Sequence, residues 1–142
     1  SMRIEKGYRA WKGDLSTDYT LLEAGLDRFV KLERNDDFLG KDALIAQRDE
    51  GLDKRFAMMT IDIGDYDAPY MSTVWKGDEL VGEITSGAMG YRCNKFVALS
   101  VLRTDCLEPG TNLEVEVFGD RRASIVTGDE AAWDPQNERL RA

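Results

Sequence analysis

The stretch from Arg3 through Glu5, Lys6, Tyr8, Arg9, Trp11 and Lys12 to Asp14 sets charges of both signs and two aromatic rings into a run broken by Gly7 and Gly13. Aromatic faces beside fixed charges suit contact with a flat, polar ligand, and the same composition suits a solvated connector. Glu23 stands in the otherwise apolar run Leu21 to Leu26. If buried it needs a hydrogen-bonding or charged partner; at a strand edge it would point to solvent. Thr85-Ser86-Gly87-Ala88-Met89-Gly90 is a glycine-spaced segment of the sort that can bring backbone N–H groups close to an anion. It lacks the glycine spacing and the following helix of the phosphate- and dinucleotide-binding loops, so a plain connection between strands is expected. Asp62, Asp65 and Asp67 surround Gly64 and Tyr66. No glutamate closes this cluster and its glycine is misplaced for a calcium loop, so an acidic turn is expected and no metal ligand is assigned.

What is missing narrows the chemistry further. The sequence has no His, which removes the commonest general base and the Ser/His and Cys/His nucleophile pairs from this chain. Cys93 and Cys106 are its only cysteines; two reduced structural thiols are expected rather than a disulfide or a zinc site. Lys and Arg number 19 against 27 Asp and Glu, a net charge of -8 that the phosphate backbone of nucleic acid would repel, so nucleic acid is not an expected partner. No apolar run approaches the ~18 residues of a bilayer span and no signal-peptide pattern is present. A membrane is therefore not an expected partner, and the cytoplasm is the expected compartment. Ser1-Met2 reads as a cloning remnant ahead of a chain that starts in the middle of an ordered segment.

These groups need elements to hold them, and 142 residues suffice for one ordinary domain with an appendage. Residues 1–54 are mixed in texture, with a short strand expected at Arg28 to Leu32 and one helix of about ten residues from Lys41 to Glu50, ending at Gly51. Residues 55–128 read as successive short strands. Arg55 to Ile63 carries large apolar and β-branched residues near half-buried spacing, and Phe96 to Leu102 is mostly apolar. Ser72 to Trp75 and Glu79 to Ile84 flank Lys76-Gly77-Asp78, a hairpin signal. The clearest alternation sets Leu113, Val115 and Val117 against Glu114 and Glu116, with Ala123 to Val126 as partner across Gly119-Asp120. Closing these strands into a small antiparallel barrel or sandwich would remove exposed edges. The expected fold class is α+β, mainly β.

In the order RIEKGYRAWKGDLS, TLLEAGLDRFVKL, DDFLGKDAL, GDELVGEITSGAMGYRCNKFVALSVL and GTNLEVEVFGDRRASIV, the sequence resembles the glycine-cleavage T-protein family of tetrahydrofolate-dependent aminomethyltransferases. EKGYRAW and LEAGLDRFV are closest to the folate-binding half of dimethylglycine and sarcosine dehydrogenases, and WDPQNERLRA looks like that subfamily's terminus. The resemblance implies the tail of a folate-binding domain over residues 1–52, with one short helix, joined to a carboxy-terminal β-barrel over residues 53–142. It implies a parent enzyme that passes one-carbon units from a methylated amine to tetrahydrofolate, with FAD on an upstream domain if the flavin-linked relatives are the better guide. The family's assisting aspartate and pterin-binding glutamate belong to segments preceding RIEKGYRAW, and a further arginine lies just upstream of Arg3. No catalytic residue is assigned here, and the chain alone is expected to be inactive.

What the resemblance leaves to this chain is a wall of the folate site. Arg3, Tyr8, Trp11 and Glu23 are its candidate cofactor-binding residues, joined by Trp133 and Arg139 because the family's final residues can fold back towards the folate. The loop Cys93-Asn94-Lys95-Phe96 departs from the family's common Gly-Lys pair, and no ligand role is assigned to it. Expected partners are the upstream folate-binding domain of the same polypeptide, the small methylated amine, and other copies of the fragment. The competing readings are a stand-alone β-barrel that binds a partner or regulates it, and part of a sulfonium demethylase on the same fold.

Overall fold

The computed structural model describes residues 1–64 and 67–141. Six strands, β1 (Lys54–Ile61), β2 (Thr73–Lys76), β3 (Glu79–Gly90), β4 (Lys95–Arg103), β5 (Asn112–Val117) and β6 (Asp120–Gly128), close in the order β1-β4-β3-β2-β5-β6. Every pairing is antiparallel. The alternation in β5 decides its facing: Leu113, Val115 and Val117 are buried while Glu114 and Glu116 sit partly in solvent. Inside, they meet Met59, Val74, Ile84, Leu102 and Val126 in one cluster, and closure pairs each strand's backbone on both sides. Two-residue turns drive the hairpins: Gly77 (φ 60°) joins β2 to β3, and Phe118 (φ 52°) with Gly119 (φ 90°) joins β5 to β6. The mainly β class and the barrel match the expectation.

Two expectations fail. Residues 28–32 form no strand; Asp27–Phe29 is a 3-10 turn. Gly25 at φ 65° has already reversed the chain, and the Phe29 and Val30 amides donate locally to Leu26 and Asp27, leaving nothing for a ladder. Thr85 to Gly90 is likewise not a loop but the second half of the 12-residue β3. Its glycines serve close approach: a Cβ on Gly87 would lie 3.1 Å from the Phe96 ring and 3.3 Å from the Ala68 carbonyl. Of the acidic turn, Asp65 and Tyr66 lie outside the described residues.

Ahead of the barrel, the short helix α1 (Met2–Glu5) packs on β3 and β4 with Ile4 and Glu5 buried. Ile4 joins Phe56, Met58, Val97 and Leu99 in a second cluster on the outer face of β1 and β4. The expected helix, α2 (Lys41–Glu50), forms as read but buries none of its residues. Among the described residues no helix is long and apolar enough to cross a membrane. Cys93 and Cys106 are free thiols, as expected.

Candidate functional site

The turn Ala10 to Leu15 brings Asp14 under α1, where its side chain is fully covered. One carboxylate oxygen accepts from Arg3 Nη1 (2.7 Å) and from the Ala10 amide (2.7 Å); the other accepts from Thr85 Oγ1 on β3 (2.6 Å). Arg3 donates further to the Tyr8 carbonyl (2.6 Å) and to Ser86 Oγ (2.9 Å). A buried carboxylate is tolerated only when its lone pairs are met, ideally by an opposite charge. Asp14 meets both conditions, and in doing so ties the first fifteen residues to the middle of β3.

Glu5 forms a second buried hub on the other side of α1. Its Oε1 accepts from the amides of Arg92 (2.8 Å) and Cys93 (3.2 Å) in the β3–β4 turn, and its carbonyl accepts from the Trp133 amide (3.1 Å). Gly90 is required beside it, since a Cβ there would come within 3.0 Å of Glu5 Cγ and 2.6 Å of Cys93 Sγ. Two cations then lie over the Trp133 ring, the Arg92 guanidinium 4.5 Å and Lys6 Nζ 5.7 Å from its centroid. Lys6 anchors the same tail through the Asp134 carbonyl (2.6 Å) and Asn137 Oδ1 (2.8 Å). Between these hubs opens a mostly apolar cavity of about 430 Å³ whose walls include Arg3, Tyr8, Arg92, Trp133 and Leu140.

Three of the six nominated residues, Arg3, Tyr8 and Trp133, therefore share one cavity. Arg139 lies on the same tail, with its amide on Asp134 Oδ1 (3.2 Å), but does not line that cavity. Trp11 is 71% exposed on the turn above Asp14 and stands apart. Glu23 is removed as well: it closes the turn into Leu22 and Ala24, with Oε2 accepting from the Thr20 amide (2.8 Å) and its own amide donating to Thr20 Oγ1 (3.2 Å). Glu5 and Asp14 were missed as individual residues. Both lie inside the singled-out stretch, and the signal that could have found them was an acidic side chain next to a residue that the fold had to bury.

Chemically the arrangement holds and shapes. Burial pushes the Cys93 and Cys106 thiols up, with the nearby carboxylates of Glu5 and Asp105 acting in the same direction, so both stay protonated and weakly nucleophilic near neutrality. The half-exposed Tyr8 ring, by contrast, offers a face against which a flat ring can lie, with the cation-covered Trp133 completing the cavity wall.

A family model described as the glycine cleavage T-protein C-terminal barrel domain matches residues 54–130, which include all six strands. The chain belongs to this family. Mouse mitochondrial dimethylglycine dehydrogenase is 35% identical over 141 residues, covering 99% of this chain and 16% of the enzyme. The mouse mitochondrial pyruvate dehydrogenase phosphatase regulatory subunit is 33% identical over 138 residues, covering 85% of this chain and 16% of that protein. Among solved structures, the glycine cleavage system aminomethyltransferase T of Bartonella henselae superposes with a TM-score of 0.81 at 21% identity, covering 89% of this chain and 36% of that one. This T-protein barrel chain thus spans about a sixth of the length of the two mouse relatives. The match to the family model leaves out α1, Glu5 and Asp14, while the superposition extends beyond the barrel strands.

Proposed function

We propose that this chain is the carboxy-terminal region of an enzyme that moves one-carbon units from a methylated amine to tetrahydrofolate, in the manner of an aminomethyltransferase or a dimethylglycine or sarcosine dehydrogenase. Residues 1–52 are the tail of its folate-binding domain and residues 53–142 its barrel. The observation that carries the reading is the Asp14 hub, which fixes Arg3 and the Tyr8 loop to the barrel and so holds one aromatic wall at a set place. Tetrahydrofolate, when bound, supplies the nitrogen nucleophiles that accept the one-carbon unit. Tyr8 and Trp133 would flank it, while Arg3 spends its donors on Tyr8, Asp14 and Ser86 and acts by holding the wall. The carboxylates here are engaged by the protein's own amides and hydroxyl groups, so they fit the back of a folate site and not its pterin-holding floor. Catalysis belongs to a folate-binding domain upstream in the same polypeptide, and FAD, where the enzyme uses it, to a domain before that.

Calorimetric titration of the 142-residue chain with tetrahydrofolate tests this reading. The expected result is no binding or millimolar binding, with tight binding and turnover recovered when the upstream domain is present on the same polypeptide. Micromolar affinity of the chain alone would require about 8 kcal/mol from half a site and would overturn the proposal. The proposed compartment is the cytoplasm, which cell fractionation checks. Recovery in mitochondria, the compartment in the names of both mouse relatives, would correct that assignment.

A second reading, a regulatory barrel without turnover, draws support from the similarity to the phosphatase regulatory subunit. The two separate on one measurement: the full-length polypeptide either consumes a methylated amine in the presence of tetrahydrofolate or does not.

A further inference from the structure

A polar cleft of about 540 Å³ lies behind the Tyr8 loop, between the Gly25 turn and the chain that follows β6, and four cations face it: Lys6, Arg9, Arg28 and Arg55. Two of them are matched by anionic or polar partners. Arg55 grips both oxygens of Asp27 (3.1 and 2.7 Å), and Lys6 is held by Asp134 and Asn137. Arg9 and Arg28 form no ion pair among the described residues. Arg9 lies face-on to Phe56, 3.6 Å from the ring centroid, and reaches only the carbonyls of Gly7 (3.2 Å) and Gly25 (3.4 Å). Its Nε is buried without an acceptor. Neutral carbonyls do not compensate a buried guanidinium as an anion does, and an unmet donor on a charged group is unfavourable.

We propose that this cleft is an oxyanion site in which Arg9 and Arg28 bind a carboxylate or phosphate group. A guanidinium fork matches either group in two-point geometry. Burial, together with the like charge of Arg28, pulls the Arg9 pKa below its usual value, the direction expected of a cation short of a counter-charge. Three carboxylates share the rim and limit what enters. Asp27 is neutralised by Arg55, whereas Asp129 acts on Arg9 and Arg55 from beyond ion-pair distance and Glu130 stands beside it. Two uncommitted cations against two uncommitted carboxylates favour a singly charged carboxylate over a phosphate dianion. The site needs neither a pterin nor an upstream domain, so its failure and that of the folate reading are separate events.

Nitrogen-15 NMR of the 142-residue chain at low salt, following the Arg9 Nε–H signal, tests the site with acetate and with inorganic phosphate, and with sodium chloride as the ionic-strength control. The expected result is a saturable downfield shift of that signal, at lower concentration with acetate than with phosphate, and none with chloride. Arg28→Gln, at an exposed position, should weaken binding about tenfold without unfolding the chain, and Asp129→Asn should strengthen it. Tighter binding of phosphate than acetate would keep the site and reassign its ligand to a free phosphate or phosphoryl group. An unmoved Nε–H signal, an equal response to chloride, or affinity unchanged by Arg28→Gln would overturn the proposal.

Discussion

At the scale of single residues, Asp14 is a fully covered carboxylate on which three donors from three separate places converge. Truncation takes from Arg3, the Ala10 amide and Thr85 the charged acceptor they share. Asp14→Ala should therefore cost about 3 kcal/mol in urea unfolding, with Asp14→Asn costing less because one acceptor oxygen survives. A loss within error of zero for Asp14→Ala would show that water replaces the network. Asp27 gives a pH prediction. Burial alone would raise its carboxyl, but the hydrogen bonds and charge of Arg55 hold it below the ordinary 3.8. A carboxyl depressed in the folded state binds fewer protons there than in the unfolded chain. Its contribution is then complete above about pH 4 and is lost as pH falls through the folded value. The pair is partly exposed, so the effect is modest, but Asp27→Asn should flatten part of the acid limb of a stability–pH curve without changing stability differences above that range. An acid limb identical in the variant would remove the pair from the account.

Among elements, what the sequence disclosed was what is local. Leu113, Val115 and Val117 alternate because one face of β5 meets the core, and Gly77 and Gly119 sit where two-residue turns require positive φ, so those hairpins could be read from neighbouring letters. What stayed hidden depends on partners far along the chain. The 85–90 segment looked like a loop because its glycines signal turns, yet they are there to let β4 and the Ala68 segment approach. The apparent strand at 28–32 gave way to a turn because Arg55 and Phe56, from β1, hold the preceding carbonyls of Leu22 and Glu23. The candidate site shows the same division. Residue types drew attention to the right stretch, but which residues turn inward was set by Thr85, Arg92 and Trp133, up to 128 positions away. Gly82 makes the point testable. A Cβ there would collide with the Val101 carbonyl and approach Leu102 Cδ2 to 2.7 Å and its Cα to 3.0 Å, so backbone would have to move. Gly82→Ala should lower stability by about 2 kcal/mol, read as a drop in thermal midpoint, despite alanine's better strand propensity than glycine. A variant as stable as the parent would mean that β3 and β4 slide apart without penalty.

Taken as a whole, the molecule is unevenly finished. The barrel closes on itself, whereas residues 21–39 display Phe29 (68% exposed), Leu39 (fully exposed), Leu21 and Phe38, and α2 behind them buries nothing. Leu21, Phe29 and Phe38 border one groove of about 390 Å³, so three of these four apolar side chains meet in one place. Contiguous patches of this kind are rare on monomers because each square ångström covered is worth roughly 25 cal/mol. A surface of that character needs a cover, and the proposed upstream domain is the nearest one by chain connectivity. Without it, other copies of the chain are the available substitute. Sedimentation velocity should therefore show the 142-residue chain associating as its concentration rises, and Phe29→Ser combined with Leu39→Ser should return it to a monomer with its barrel intact by circular dichroism. A polypeptide that includes the preceding domain should stay monomeric at the same concentrations, since the face would already be covered. If the double variant associates as strongly as the parent, the contact lies elsewhere and residues 21–39 are not the junction.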